Sequence, residues 1–78
     1  MSVFTMEDLQ GIAREVIGDR DIVLTRDMTA ADVPGWDSLN HTLVSVEISA
    51  FVGREVEAQE LAQAANFGAL VDHVNRAS

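Results

Sequence analysis

The stretch Pro34-Gly35-Trp36-Asp37-Ser38-Leu39-Asn40-His41 decides how the rest of this 78-residue chain is read. A Pro-Gly pair stops whatever precedes it, and Asp37 then stands where a helix N-cap belongs, its carboxylate able to accept the free N–H groups of the first turn. Ser38 becomes the first helical residue. Its hydroxyl lies at the positive end of the helix dipole, where a phosphate would be stabilised. Trp36 (N′) and His41 (N4) are spaced like a staple across the helix start, and Asn40 can reach back to the cap. A serine placed so firmly, with no base positioned to activate it, is suited to carrying a group and not to chemistry of its own.

Downstream, the helix opened by Ser38 is predicted to run to about Val52 and to close at Gly53. It is apolar on two sides. Val44, Ile48, Phe51 and Val52 form one stripe, Leu39, Leu43, Val46 and Ala50 another roughly opposite, and Ser38, Thr42, Ser45 and Ser49 a polar strip between them. The first stripe is expected in the core. The second is either a docking surface beside Ser38 or is covered by the preceding loop.

Upstream, Phe4-Thr5-Met6-Glu7-Asp8-Leu9 is a helix start in which Thr5 caps, Asp8 answers as a short capping-box acid and Phe4 staples to Leu9. Leu9, Ile12, Ala13, Val16 and Ile17 continue one buried stripe, so a helix is predicted from about Met6 to Ile17, ended by Gly18. Asp19 to Gly35 has no sustained period. Ile22, Val23, Leu24, Met28 and Val33 need shelter there, which predicts a long loop pinned to the core, with a helical turn around Thr29 to Asp32. After Gly53, Glu57 to Ala64 reads as a short helix carrying little bulk beyond Val56 and Leu61. Asn66 then caps a last helix with Phe67, Leu70, Val71 and Val74 on one face, weakened by Gly68 near its start and fraying from Asn75 to Ser78. The sum is an all-α small four-helix bundle, three main helices and a short one, forming a single domain over residues 1–78.

Composition narrows the function classes. The chain has no cysteine, which removes disulfides, thiolate catalysis and cysteine-based zinc sites, and its two histidines, His41 and His73, have no metal-ligand spacing. Thirteen acids against five arginines and no lysine give a net charge of −8, a field that repels nucleic-acid phosphates and attracts basic partner proteins. A hydrophobic fraction of 47% is too high for a disordered acidic tail, and no run is long enough to span a membrane. The expectation is a soluble, cytoplasmic, monomeric domain without a metal site.

Gly35-Trp36-Asp37-Ser38-Leu39-Asn40-His41 resembles the Asp-Ser-Leu segment of the acyl carrier proteins, also described as phosphopantetheine-attachment or peptidyl-carrier domains. The Trp-Asp-Ser-Leu-Asn-His form is similar to discrete carriers of bacterial specialised-metabolite and polysaccharide pathways. A capped helix, a long loop, a helix begun by the serine, a short helix and a last helix extend the resemblance over essentially the whole chain. It implies that Ser38 receives 4′-phosphopantetheine from coenzyme A by way of a separate Mg²⁺-dependent phosphopantetheinyl transferase, with Asp37 as the helix cap beside the site. An acyl, aminoacyl or related unit would ride on the arm as a thioester, supplied and processed by other enzymes. The resemblance also places partner contacts on Leu39 and the exposed face of its helix, here Leu39, Leu43, Val46 and Glu47. Many family members carry acids on that face; here Leu43, Ser49 and Ala50 take their places, which implies a narrower set of partners than those of ordinary fatty-acid synthesis. Phe51-Val52-Gly53 also departs from the usual phenylalanine-before-glycine ending, which implies a core repacked there by one position.

Two other classes are weighed beside this. Asp37, Ser38 and His41 include the residue types of a hydrolase triad, but three residues in one helical turn cannot readily supply the relay, the oxyanion hole and a pocket, so no enzyme activity is expected. The alternative is an acidic helical interaction module that stays unmodified and binds a partner through the Leu39, Leu43, Val46 stripe. Glu55, Glu57 and Glu60 are expected on a solvated face, able to meet arginines of a partner.

Overall fold

The computed structural model describes residues 3–76. Its elements are α1 (Met6–Ile17), a 3-10 turn (Ala30–Asp32), α2 (Ser38–Val52), α3 (Ala58–Ala62) and α4 (Phe67–Arg76), with no strand among the described residues. α1 packs against α2 and α4, and α2 against α3. Phe4, Leu9, Ala13, Val44, Ile48, Leu61, Phe67, Leu70 and Val74 meet in one core, joined by Ile22, Leu24 and Val33 from the loop.

The helix ends follow from local chemistry. Thr5 Oγ1 accepts the Asp8 N–H at 3.1 Å and the Asp8 carboxylate accepts the Thr5 N–H at 3.0 Å, the reciprocal box expected there. Gly18 and Gly53 close α1 and α2 at φ 82° and 76°, a left-handed conformation that costs glycine least. At α4, the Asn66 side chain accepts the Ala69 N–H at 2.8 Å.

The long connection is ordered because its backbone groups are bonded from both sides. From α1, Arg14 Nε donates to the Ile22 carbonyl at 2.7 Å and Gln10 Oε1 accepts the Leu24 N–H at 3.0 Å. From α4, the N–H groups of Phe67 and Gly68 donate to the Met28 and Arg26 carbonyls, both at 2.9 Å. Free donors of a helix N-terminus thus serve as acceptor-seeking clamps on the loop. The pinned loop and its helical turn are as expected, except that Val23 is 60% exposed and not sheltered.

Other expectations are corrected. Phe51 leaves the core stripe: it is 48% exposed with its ring edge-on to Phe4 at 5.6 Å, while Val52 packs on the core. Ser45 is instead buried, its hydroxyl donating to the Thr42 carbonyl at 2.6 Å. The short helix covers only Ala58–Ala62. Asn75 does not fray, because its amide pairs with both backbone groups of Phe4, at 2.9 and 2.8 Å, tying the two ends together; Ala77 and Ser78 lie outside the described residues. Gly68 is required and not merely tolerated: a Cβ there would lie 2.9 Å from Arg26 Cβ and 3.0 Å from the Arg26 carbonyl oxygen.

Gly68→Ala therefore opposes two effects. Alanine favours a helix over glycine by about 1 kcal/mol, but overpacking against a backbone carbonyl costs about 1–3 kcal/mol. The expected outcome is a net loss of stability in urea unfolding, with weakened protection of the Gly68→Ala amide that bonds Arg26.

A second consequence concerns acid. The His73 side chain at 2.6 Å, and after it the Glu57 N–H, hold the Glu60 carboxyl below its ordinary 4.5. A carboxyl lowered on folding contributes stability that is complete above its unfolded value and is lost as pH falls through the folded one. In His73→Ala the Glu60 midpoint should rise, read by carboxyl ¹³C titration, and stability should depend less steeply on pH below about 4.5.

Candidate functional site

Gly35, at φ 90°, turns the chain into α2 with its Cα against α1; a Cβ there would lie 2.7 Å from Ile17 Cγ2. Asp37 Oδ1 then accepts the Asn40 N–H at 2.8 Å, and the Asn40 side chain donates to the Gly35 carbonyl at 2.7 Å. Asn40 thus reaches past the cap residue to the turn before it. Trp36 and His41 are joined by a hydrogen bond, indole Nε1–H to imidazole Nδ1 at 3.1 Å. The other ring nitrogen of His41, Nε2, lies 2.9 Å from the Ala58 carbonyl. Since Nδ1 must accept, Nε2 carries the proton and donates, so the bonds specify the neutral Nε2–H tautomer. Trp36 is half-buried, its ring centroid 4.8 Å from that of Phe67.

Ser38 is exposed, and its hydroxyl has no hydrogen-bond partner among the described residues. Its carbonyl accepts from Thr42 Oγ1 at 3.1 Å. Beside it runs an open groove between the start of α2 and α3, lined by Ala30, Trp36, His41, Thr42, Ala58 and Gln59. Triad chemistry is not assembled here, because both His41 nitrogens face Trp36 and Ala58 and not the serine. Among the described residues no group of His, Asp or Glu could hold a metal ion.

The second apolar face of α2 is uncovered. Leu39 is 69% exposed, and Leu43, Val46, Glu47 and Ala50 are exposed along the same helix; the loop packs elsewhere. The neighbouring Ser49 faces inward, where its hydroxyl accepts the Val56 N–H at 2.8 Å and anchors the chain between α2 and α3.

The chain is similar to a holo acyl carrier protein from Geobacter metallireducens solved by solution NMR, with 36% identity, coverage of 92% of this chain and 83% of that one, and a TM-score of 0.79. The chain belongs to the acyl carrier proteins. No protein-family model matches the sequence, and a search of curated proteins finds no match. As an acyl carrier protein it has the all-helical fold expected from its periodicity. The turn, cap and staple residues of the site were visible as turn, cap and staple signals. Ala30, Ala58 and Gln59 were not, since an alanine has no chemistry to mark it and the groove exists only once α3 is folded back.

Asp37→Ala should cost this carrier about 1 kcal/mol of stability, with Asp37→Asn recovering most of it, because the lost bond is the side-chain cap of α2. Urea unfolding reads the cost, and faster hydrogen exchange at the Asn40 amide locates it.

Proposed function

We propose that this acyl carrier protein, acting as a single carrier domain over residues 1–78, carries 4′-phosphopantetheine on Ser38 and, through the arm's thiol, an acyl, aminoacyl or related unit. The observation that supports this best is the exposed Ser38 hydroxyl, without a protein partner among the described residues, at the start of a 15-residue helix. The residues fit the group. The N–H groups of Ser38 and Leu39 precede the first intrahelical acceptor bonds of α2 and are free to face a phosphodiester. The open groove gives the arm a wall to lie along. The arm supplies the reactive thiol that a chain without cysteine lacks.

Attachment forms a bond between Ser38 Oγ and the phosphorus next to pantetheine in coenzyme A, and breaks the pyrophosphate link so that 3′,5′-ADP leaves. The serine proton passes to a base that a Mg²⁺-dependent phosphopantetheinyl transferase must provide, since no base of this chain bonds the hydroxyl. The protein is thus acted on by enzymes and is not one itself. Transferase, loading and processing enzymes dock, in this reading, on Leu39, Leu43, Val46 and Glu47. An apolar face with one acid fits dedicated partners of bacterial specialised-metabolite or related biosynthesis better than those of a general fatty-acid carrier. The field of a net −8 chain supports protein partners with basic surfaces over nucleic acid.

Incubation with coenzyme A and a broad-specificity phosphopantetheinyl transferase should add one phosphopantetheine by intact-mass analysis, and none to Ser38→Ala. A wild type left unmodified by several such transferases would count against attachment at Ser38 and favour the bare interaction module.

A further inference from the structure

The chain's two histidines, on different helices, both fasten α3, the shortest α-helix of the fold. From α2, His41 Nε2 lies 2.9 Å from the Ala58 carbonyl, while its Nδ1 accepts the Trp36 indole N–H at 3.1 Å. From α4, His73 Nε2 lies 2.6 Å from Glu60 Oε2. α3 and the loop both line the open groove beside Ser38, α3 through Ala58, Gln59 and Ala62 and the loop through Ala30 and Trp36.

We propose that these histidines make the groove respond to acid: proton uptake releases the loop's Trp36 from α2 and tightens α3 onto the bundle. The inference goes beyond the carrier reading and holds whether or not Ser38 bears an arm. Histidine is the side chain whose charge ordinarily changes between about pH 5 and 8. A protonated imidazole donates from both nitrogens, so His41 then has nothing with which to accept the indole N–H, and Trp36 keeps its packing against Phe67 but not that bond. The same proton leaves the Nε2–H bond to Ala58 in place and makes it charge-assisted, hence stronger than a neutral one. At His73, protonation turns the bond to Glu60 into an ion pair. Glu60 is ready for it, since the His73 side chain and then the Glu57 N–H hold its carboxyl below the ordinary 4.5 and so ionised over this range. Other charged groups face the two rings sparsely. Asp37 is the one charged residue lining the concavities on either side of His41. Asp72 and Arg76, on the same helix as His73, line one concavity with it and Glu60, and Arg54, from the α2–α3 connection, adds a weaker pull on Glu60. Neither arginine changes charge over this range, so the imidazoles carry the response.

The test follows the full, unmodified chain by NMR from about pH 8 to about pH 5, with ring ¹⁵N shifts marking the protonation of each histidine. As His41 takes up its proton, exchange of the Trp36 indole N–H with water, corrected for its intrinsic pH dependence, should quicken about 3- to 10-fold, the change that losing one net hydrogen bond supports. Protection of the Leu61 amide, which bonds the Glu57 carbonyl in α3, should instead rise over the same range. In His41→Gln, whose side-chain amide does not titrate, the indole step should vanish. In His73→Gln the indole step should stay and the rise at Leu61 should shrink. An indole N–H unmoved while His41 titrates overturns the proposal, as does an indole step that persists in folded His41→Gln. Leu61 protection that falls or stays level, or that rises in full in His73→Gln, overturns it as well. Should His41→Gln fail to fold, the wild type and His73→Gln decide: an indole step with the same midpoint as the His41 ¹⁵N shift supports the proposal, and separate midpoints overturn it.

Discussion

The hydrogen-bonded chain from the Trp36 indole through the His41 imidazole to the Ala58 carbonyl joins three segments that would otherwise move separately. Trp36 belongs to the loop, His41 to the first turn of α2, and Ala58 to the start of α3. One neutral imidazole, accepting at one nitrogen and donating at the other, sets their spacing. Ser38 lies between the two residues of this pair in sequence, so whatever fixes Trp36 and His41 also fixes how the serine faces solvent. The Asp37 cap and the Gly35 turn then need only direct the chain locally.

The second requirement is that a long loop be held without disulfides. The chain has no cysteine, and ordering each backbone residue costs about 1–2 kcal/mol. Burial of Ile22, Leu24 and Val33 offsets part of this. The rest depends on satisfying loop carbonyls and amides, which α1 does with the side chains of Arg14 and Gln10 and α4 does with its own first N–H groups. Gly68 is part of that arrangement, since only a residue without Cβ lets α4 approach the Arg26 carbonyl closely enough to bond it.

These facts explain which parts of the molecule were legible in advance. Helix limits at Ser38, Val52 and Gly53 were readable because caps and left-handed glycines act within a few residues of their own position. Stripe periodicity identified Leu9, Ala13, Val44, Ile48 and Val74 as core for the same local reason. Phe51 and Val23 were misplaced because which apolar residue at an element's edge is covered depends on what packs over it. Asn75 bonds a residue 71 positions away, and Gly68 clears a loop 42 positions before it; no local pattern carries either fact. At the site, the Trp36–His41 spacing was visible, but its third member, Ala58, contributes only a carbonyl that every residue has.

α2 shows how stability and display are reconciled in so small a domain. Its inner face fills the core with Val44 and Ile48, and its Ser45 and Ser49 hydroxyls bond backbone groups, so this polar strip serves the interior and not the surface. The outer face, from Leu39 through Leu43 to Val46, gains nothing from burial in the isolated chain. An uncovered apolar stripe beside an exposed serine is tolerable because thirteen acids keep the surface charged and self-repelling. A net charge of −8 repels a second copy of the same chain at long range, whichever face it approaches.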